Sequence, residues 1–267
     1  MTAVAPVDSY FIALGEDRYL PTSHAGGAWR DDELHLAPVA GLLVHHMERW
    51  RKENVDPSLV FSRFSFEVLG QIAREEIALS TEIVRPGRTI ELIETTAVIG
   101  ARATIRARAW LLQQSDTSEV EGNEFASLPA PESCLQTSPL GHWSGGFIAS
   151  VEARLAGEWR PGRARTWVRG RHPLVSGERA EPLAEFSKML DTANGVAVRE
   201  SPERWRYPNV DLSVHFFRIP AGDWVGLDTR VAFGGSGVGL TSSVMHDTAG
   251  PVGTIHQSTT LRRIPTR

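Results

Sequence analysis

The sequence has almost no cysteine and no excess of positive charge, and each shortage excludes a class of protein. Cys134 is the one cysteine among 267 residues, so an intrachain disulfide and a cysteine-based zinc site are excluded. The 28 Lys and Arg residues are outnumbered by 32 Asp and Glu residues, which gives a net charge of −4. We therefore expect no nucleic-acid partner bound through a strongly basic surface, and a reducing compartment suits the single thiol.

Long apolar runs are missing as well. The longest strongly apolar stretch, residues 39–44, is far shorter than the roughly 20 residues that cross a bilayer. The first ten residues carry Asp8 and no Lys or Arg, unlike a secretory signal. We therefore expect a soluble, cytoplasmic protein with no membrane partner.

Motifs for a covalent nucleophile or a bound cofactor are also lacking. The sequence contains no G-x-S-x-G motif, and Cys134 lies in a segment that has the composition of a linker. The glycine-rich run at 234–239 lacks the lysine and the following helix of a phosphate loop, and it predicts a hairpin turn. His24, His35 and the pair at 45–46 have no third ligand at a metal-binding spacing, so we expect neither a metal nor a cofactor.

Hydrophobic periodicity divides the chain into two halves of similar design. Apolar residues at helical spacing predict a helix over residues 36–52, and alternating residues then predict antiparallel strands up to residue 112. A segment rich in Ser, Glu and Pro follows. The predicted elements of the second half are strands at 147–155 and 165–170, a helix at 181–194, and strands from 210 to 263.

Each half thus carries one long helix and one antiparallel sheet, which is an α+β arrangement. One helix cannot cover both faces of a sheet, so we expect the halves to pack together. We predict an N-terminal repeat at 1–112, a linker at 113–139 and a C-terminal repeat at 140–267.

Several short clusters occur in an order that resembles the thioesterase-like superfamily, and in particular acyl-CoA thioesterase II. The clusters, in chain order, are Trp29, His35, RPGR at 85–88, Asp191, NVDLSVHF at 209–216, Asp223 with Trp224, and HQS at 256–258. The resemblance implies a double hotdog fold, in which each repeat wraps an antiparallel sheet around a long helix. It also implies hydrolysis of an acyl-CoA to a carboxylic acid and CoA, a reaction of lipid metabolism.

The resemblance also implies a catalytic set of Asp191, Asn209 and Gln257. The family has a Thr at the middle position, and Asn209 departs from that pattern while keeping a donor and an acceptor. Thioester hydrolysis needs an activated water, for which Asp191 can act as general base while the two amides hold the water. A CoA thiolate leaves readily, so no covalent nucleophile is needed.

Substrate contacts are predicted from both the apolar and the basic residues. Met189, Leu190 and Phe216, with Val214, are candidates for an acyl channel, and His35 for the substrate site or for the cap of the first helix. The candidates for binding the CoA phosphates are Arg169, Arg171, Arg262 and Arg263. Hotdog proteins often pair through sheet edges, so the resemblance also suggests a homo-oligomer.

Other interpretations stay open at this stage. Taken alone, Asp191 is an exposed acid in the last turn of a helix, and Gln257 is a surface residue of a strand. Asp211, two residues after Asn209, is a competing acid. A non-catalytic acyl-CoA or fatty-acyl binding protein on the same fold is one alternative function, and a hotdog dehydratase or hydratase is another.

Overall fold

Six strands from each half of the chain join edge to edge in one 12-stranded antiparallel sheet. This computed structural model describes residues 8–27 and 29–265. The first-half strands are β1 (Phe11–Gly15), β2 (Arg18–Pro21), β3 (Leu59–Val68), β4 (Ile77–Arg85), β5 (Ile90–Ile99) and β6 (Arg102–Gln113). The second-half strands are β7 (Val151–Leu155), β8 (Arg163–Gly170), β9 (Trp205–Arg206), β10 (Asp211–Phe216), β11 (Val225–Phe233), β12 (Val238–Asp247), β13 (Gly250–Thr260) and β14 (Arg262–Arg263), of which β9 and β14 form a separate two-stranded sheet.

Strands β3 and β10 pair at the centre of the large sheet, and we call this pairing the seam. Outward from the seam the first half runs β6, β5, β4, β2 and β1, and the second half runs β13, β12, β11, β8 and β7. Ser65 faces Ser213 across the seam. Two strands that lie equally far from the seam, one in each half, also hold the same position in the chain order of the large-sheet strands of their halves. The two halves therefore share one strand order outward from the seam.

The first-half helix, α1 (Leu36–Asn54), is surrounded by protein over its N-terminal part, where residues 36–47 are all buried. A helix that is apolar on every side is suited to such a central position. His35 caps the helix, because its Nδ1 accepts the Ala37 N–H at 3.1 Å. Gly41 allows the second half to approach closely, since a Cβ at this position would lie 2.5 Å from the Cβ of Lys188. The predicted helix is therefore confirmed.

The strand predicted at 147–155 begins instead with one helical turn. This turn, α2, covers Gly146–Ala149, and β7 starts at Val151. The Ser150 hydroxyl closes the turn by donating to the Phe147 carbonyl oxygen at 2.6 Å. The predicted turns at 85–88 and 234–239 are confirmed as the hairpin connections from β4 to β5 and from β11 to β12.

The single long helix predicted at 181–194 is wrong, because the segment breaks into three pieces. These are α3 (Pro182–Ser187), a 3-10 turn (Leu190–Thr192) and α4 (Ala193–Val196). The Thr192 hydroxyl donates to the Met189 carbonyl oxygen at 2.6 Å, a bond that competes with regular helix geometry. Only the first half therefore has a long helix among residues 8–27 and 29–265, and none of the helices there is both long and apolar enough to cross a membrane.

The predicted linker segment packs on the sheet of the second half. After β6 it contains two short 3-10 turns, Ser118–Val120 and Pro131–Ser133. The indole Nε1 of Trp167 on β8 donates to the Pro129 carbonyl oxygen at 2.8 Å. The segment is thus held against β8 by its backbone carbonyl groups.

Candidate active site

Three polar side chains from the second half meet at the carboxyl group of Asp191. Asp191 lies in the 3-10 turn, Asn209 precedes β10 and Gln257 lies on β13. The side-chain amides Asn209 Nδ2 and Gln257 Nε2 each donate to Asp191 Oδ1 at 2.8 Å. The structure therefore brings together the three residues that the sequence pointed to, although they are far apart along the chain.

The neighbouring backbone fixes both amides. Asn209 forms an isolated antiparallel bridge with Thr259 of β13, and its Nδ2 also donates to the Asp211 carbonyl oxygen at 3.0 Å. Gln257 is fully buried, because it lies on the inward face of a strand that alternates between buried and exposed residues. The Gln257 Oε1 atom is buried and accepts no hydrogen bond from the residues that the structure describes. The described side-chain hydrogen bond of Gln257 is therefore the one that Nε2 donates to Asp191.

His35 of the first half completes the site, with its Nδ1 3.3 Å from Asp191 Oδ2. This distance would suit an ion pair, but burial opposes one. Burial lowers the pKa of His35 to about 4 and raises the pKa of Asp191 to about 7. No pH leaves both groups mainly charged, since Asp191 is still protonated when His35 loses its proton. Between about pH 4 and pH 7 both groups are therefore mainly neutral.

The cap geometry defines the protonation of the imidazole. Because Nδ1 of His35 accepts the Ala37 N–H, the proton of the neutral ring lies on Nε2. The raised pKa of Asp191 has burial as its main cause, and the hydrogen bonds from Asn209 and Gln257 offset part of it. The result is a carboxyl group that changes protonation state near neutral pH, which suits a general acid or base.

A cavity of about 330 Å³ lies against Asp191, Asn209 and His35, and we call it the first cavity. Ligand pockets have volumes of about 300–1,000 Å³, so a small acyl group fits this range. The remaining walls are largely apolar. They are Trp29, Glu33, Leu34, Leu36, Val68, Leu69, Gly70, Gln71, Ile72, Pro208 and Val210.

The same carboxyl group also lines a second, much smaller space of about 30 Å³. It has room for about one water molecule, with Asp191 and Asn194 as polar partners. Trp29 and Trp143 line it, and their rings meet edge to face at 4.8 Å. Asp191 therefore lines both a substrate-sized cavity and a water-sized pocket.

The predicted acyl-channel residues lie elsewhere. Met189, Leu190 and Phe216 are buried in the core, and none of them lines the first cavity within the described part of the chain. The rings of Phe64 and Phe186 each lie 6.2 Å from that of Phe216. Of the arginines considered for CoA, Arg169 is paired with Glu152 at 2.8 Å, whereas Arg171, Arg262 and Arg263 are exposed.

Sequence reasoning misses a wall of the first cavity that follows β3. Val68 ends β3, and the irregular segment 69–72 continues along the cavity. Trp29 is part of the family resemblance, but its place in the cavity wall is not visible from the sequence. The Gly70-Gln71 pair after an alternating strand marks a loop, but no pattern shows that this loop faces Asp191 of the other half.

Asp8, His24 and His172 form a possible metal-ligand group at a separate place in the described chain. One ligand atom from each lies within 4.8 Å of the others, and the two imidazole rings are 4.0 Å apart. These residues are not those that line the first cavity. The site at Asp191 therefore does not share ligands with this group.

Comparison with known families decides how this site is classified. Family models of the N-terminal and C-terminal acyl-CoA thioesterase domains match residues 26–112 and 131–261. The chain belongs to the acyl-CoA thioesterase family. A search of the curated proteins finds no match to this acyl-CoA thioesterase family member.

Solved structures similar to this family member establish its fold. The superposition with an acyl-CoA thioesterase II from Mycobacterium marinum covers 95% of this chain and 96% of that protein, with 16% identity and a TM-score of 0.66. A hotdog-fold protein of unknown function from Alicyclobacillus acidocaldarius covers 97% and 98%, with 12% identity and a TM-score of 0.72. The dehydratase domain of a curacin polyketide synthase covers 98% and 99%, with 11% identity and a TM-score of 0.52. The chain therefore has a hotdog fold.

Proposed function

We propose that the protein hydrolyses an acyl-CoA thioester to a carboxylic acid and free CoA. The observation that carries this proposal is the buried Asp191 carboxyl group, which lines both a substrate-sized cavity and a water-sized pocket and is held by two amides. We further propose that the two halves are hotdog repeats at 1–112 and 140–267, with the active site formed where they meet.

The reaction needs Asp191 in its ionised form. A water in the small pocket donates one hydrogen bond to the carboxylate and gives up that proton as its oxygen attacks the thioester carbonyl carbon. The neutral His35 donates its Nε2–H to the carbonyl oxygen, on which negative charge develops. The C–S bond then breaks, and the CoA thiolate takes the proton back from Asp191. The hydroxyl group of the water is thus in the carboxylic acid, and its other hydrogen is on the CoA thiol.

Asn209 and Gln257 position the base. Both amides donate to the same oxygen, Asp191 Oδ1, which leaves Oδ2 to interact with the water. Without these two donors the buried carboxyl group would hold its proton to a still higher pH. In this proposal the acyl group lies along Leu34, Leu36, Val68 and Ile72 rather than in the channel predicted from the sequence.

The test is thiol release from a panel of acyl-CoAs from C2 to C18, with phenylacetyl-CoA and benzoyl-CoA. We expect turnover of one chain-length class, lost in Asp191→Asn and retained in Asp211→Asn. Asp211 is a matched control because it is the nearest acid on β10, and its carboxylate accepts the Ser258 N–H instead. Saturable acyl-CoA binding without thiol release would overturn hydrolysis in favour of a binding protein.

The His35–Asp191 contact supports a second candidate, the dehydration of a 3-hydroxyacyl thioester. A base on one side and an acid on the other can remove a proton and a hydroxyl group, and 3.3 Å places the two groups together. The dehydratase domain among the structural neighbours has the same fold but does not decide the reaction. Enoyl-thioester absorbance without thiol release, from 3-hydroxyacyl-CoA, would favour this candidate.

A further inference from the structure

A further cavity, which we call the second cavity, is built from the same parts as the first with the two halves exchanged. The first cavity uses the start of α1, the segment after β3, and Asp191 with the approach to β10. The second cavity, of about 220 Å³, uses the start of α3, the segment after β10, and Glu48 of α1 with the start of β3. Its walls are Glu48, Arg51, Val60, Phe61, Glu181, Pro182, Leu183, Ile219 and Pro220.

The residues around the second carboxyl group differ sharply from those around Asp191. Val60 and Phe61, near the start of β3, take the place of Pro208 and Asn209. The strands next to the seam can be aligned by their pairing: His256 of β13 pairs with Ser213, and Arg108 of β6 pairs with Ser65. One residue further along each strand, Ala109 therefore takes the place of Gln257. Both amides are thus replaced by apolar side chains, and the catalytic set has no counterpart here.

Two residues that line this cavity each have a polar atom without a partner. Glu48 Oε2 and Arg51 Nε are both buried, and neither makes a hydrogen bond with the described residues. Arg51 uses its Nη1 to donate to the Leu59 carbonyl oxygen at 3.2 Å, which holds the guanidinium near the cavity. A buried polar group without a partner is costly, so these two atoms mark a place for a ligand with matching acceptors.

We propose that the second cavity binds a small carboxylic acid with a short apolar chain, through its carboxylate group. One carboxylate oxygen accepts from Arg51 Nε–H and the other from the protonated Glu48 carboxyl group. The apolar chain lies along Phe61, Leu183 and Ile219. This is a non-catalytic site, and it does not depend on the hydrolysis proposed for the first cavity.

The electrostatics of the cavity agree with a carboxylate ligand. Burial and the nearby Glu181 carboxylate raise the pKa of Glu48 to about 8, while the Ala184 N–H, Lys52 and Arg51 offset only part of this rise. Glu181 carries the opposite charge to Lys52 and contacts it directly. At pH 7 the remaining net charge of these groups is therefore that of Arg51, which a carboxylate neutralises. Above pH 8 Glu48 ionises and repels the ligand, so affinity falls.

The test is calorimetric titration of the intact protein with hexanoate at pH 6.5 and pH 9. We expect Arg51→Met to weaken binding about tenfold or more, since it removes a charge-assisted hydrogen bond. Arg49→Met is the matched control, because it removes the same charged group from α1 at a residue that contacts Glu178 and Tyr19 and does not line the cavity, and it should bind as the wild type does. Wild-type affinity should be lower at pH 9.

A second variant separates binding from folding. Ile219 lies at the rim and is 45% exposed, so Ile219→Trp should fill the cavity without disturbing the core. It should weaken hexanoate binding as Arg51→Met does. Absent binding, or equal affinity in the wild type, Ile219→Trp and a folded Arg51→Met, would overturn the proposal.

Discussion

The two cavities on either side of the seam each contain one buried carboxyl group, and the surroundings of these groups differ in a way that explains their different roles. Asp191 accepts hydrogen bonds from Asn209 and Gln257, and its pKa lies at about 7. Glu48 has no such amides, and its pKa lies at about 8. The two carboxyl groups thus differ chiefly in what holds them, because two amides fix Asp191 whereas Glu48 Oε2 makes no hydrogen bond with the described residues.

The helix starts that face the two carboxyl groups differ as well. His35 is a neutral cap of α1 that meets Asp191 and keeps a ring proton on Nε2. Glu181 precedes α3 without a side-chain cap, and it pairs with Lys52. The first cavity therefore has both a base and a neutral donor, whereas the second has the Arg51 guanidinium as its group suited to holding an anion. Chemistry is expected on one side of the seam only.

The largest expected effect is on turnover. Asp191→Asn keeps the shape of the side chain and its acceptor for the two amides but removes the base, so kcat for thiol release should fall roughly 10²-fold or more. Steady-state kinetics with the best acyl-CoA of the panel measure this fall. A reduction below about threefold would show that Asp191 is not the base.

The same substitution should stabilise the protein at high pH. Folding raises the pKa of Asp191 from 3.8 to about 7. The contribution of this group to the free energy of unfolding is therefore fully present below pH 3.8 and is lost as the pH rises to 7. Denaturant unfolding at pH 8 should show Asp191→Asn more stable than the wild type by on the order of 3 kcal/mol. The difference should nearly vanish at pH 4. A variant less stable than the wild type at pH 8 would contradict a raised pKa for Asp191.

A smaller effect is expected from Gln257→Met, which keeps the side-chain volume but removes the amide donor. The Gln257 hydrogen bond lowers the pKa of Asp191, so its loss should move the rising limb of the kcat/KM profile to higher pH. His256→Ala is the matched control, because His256 is the exposed neighbour on the same strand. An unchanged profile in Gln257→Met would show that the Gln257 amide does not lower the pKa of the base.

The smallest effect is expected from Asn209→Thr, which restores the residue that the family resemblance implies. A Thr hydroxyl can still donate one hydrogen bond to Asp191, whereas the bond from Asn209 to the Asp211 carbonyl oxygen is lost. Turnover should change by less than about tenfold, because each such bond contributes about 1 kcal/mol. Asn209→Ala, compared under the same conditions, should cost more.

The periodicity of the sequence predicts the helix of the first half and most strands, because burial on one face produces a regular spacing of apolar residues. It fails at 181–194, where hydroxyl and amide side chains bond to the backbone and break the helix. That break also explains why Met189 and Leu190 do not line the predicted channel. A change in helical phase turns their side chains into the core, while Asp191 faces the cavity.

The contents of the candidate site are partly visible in the sequence, whereas its partners across the seam are not. Asp191, Asn209 and Gln257 can be named only through the family resemblance, since each residue type alone is common on protein surfaces. Phe216 shares a strand with Asp211, but the cavity opens before that strand begins, so the ring lies in the core instead. The contact of His35 with Asp191 depends on how the halves pack, which local spacing does not encode.

The most direct test of the proposed base is an NMR titration of the Asp191 carboxyl carbon in ¹³C-labelled protein, assigned by comparison with Asp191→Asn. We predict a pKa of about 7 in the wild type, matching the midpoint of the kcat/KM profile. We also predict a higher pKa in Gln257→Met. A wild-type pKa near the ordinary value of 3.8 would contradict the claim that a buried, amide-held carboxyl group is the base.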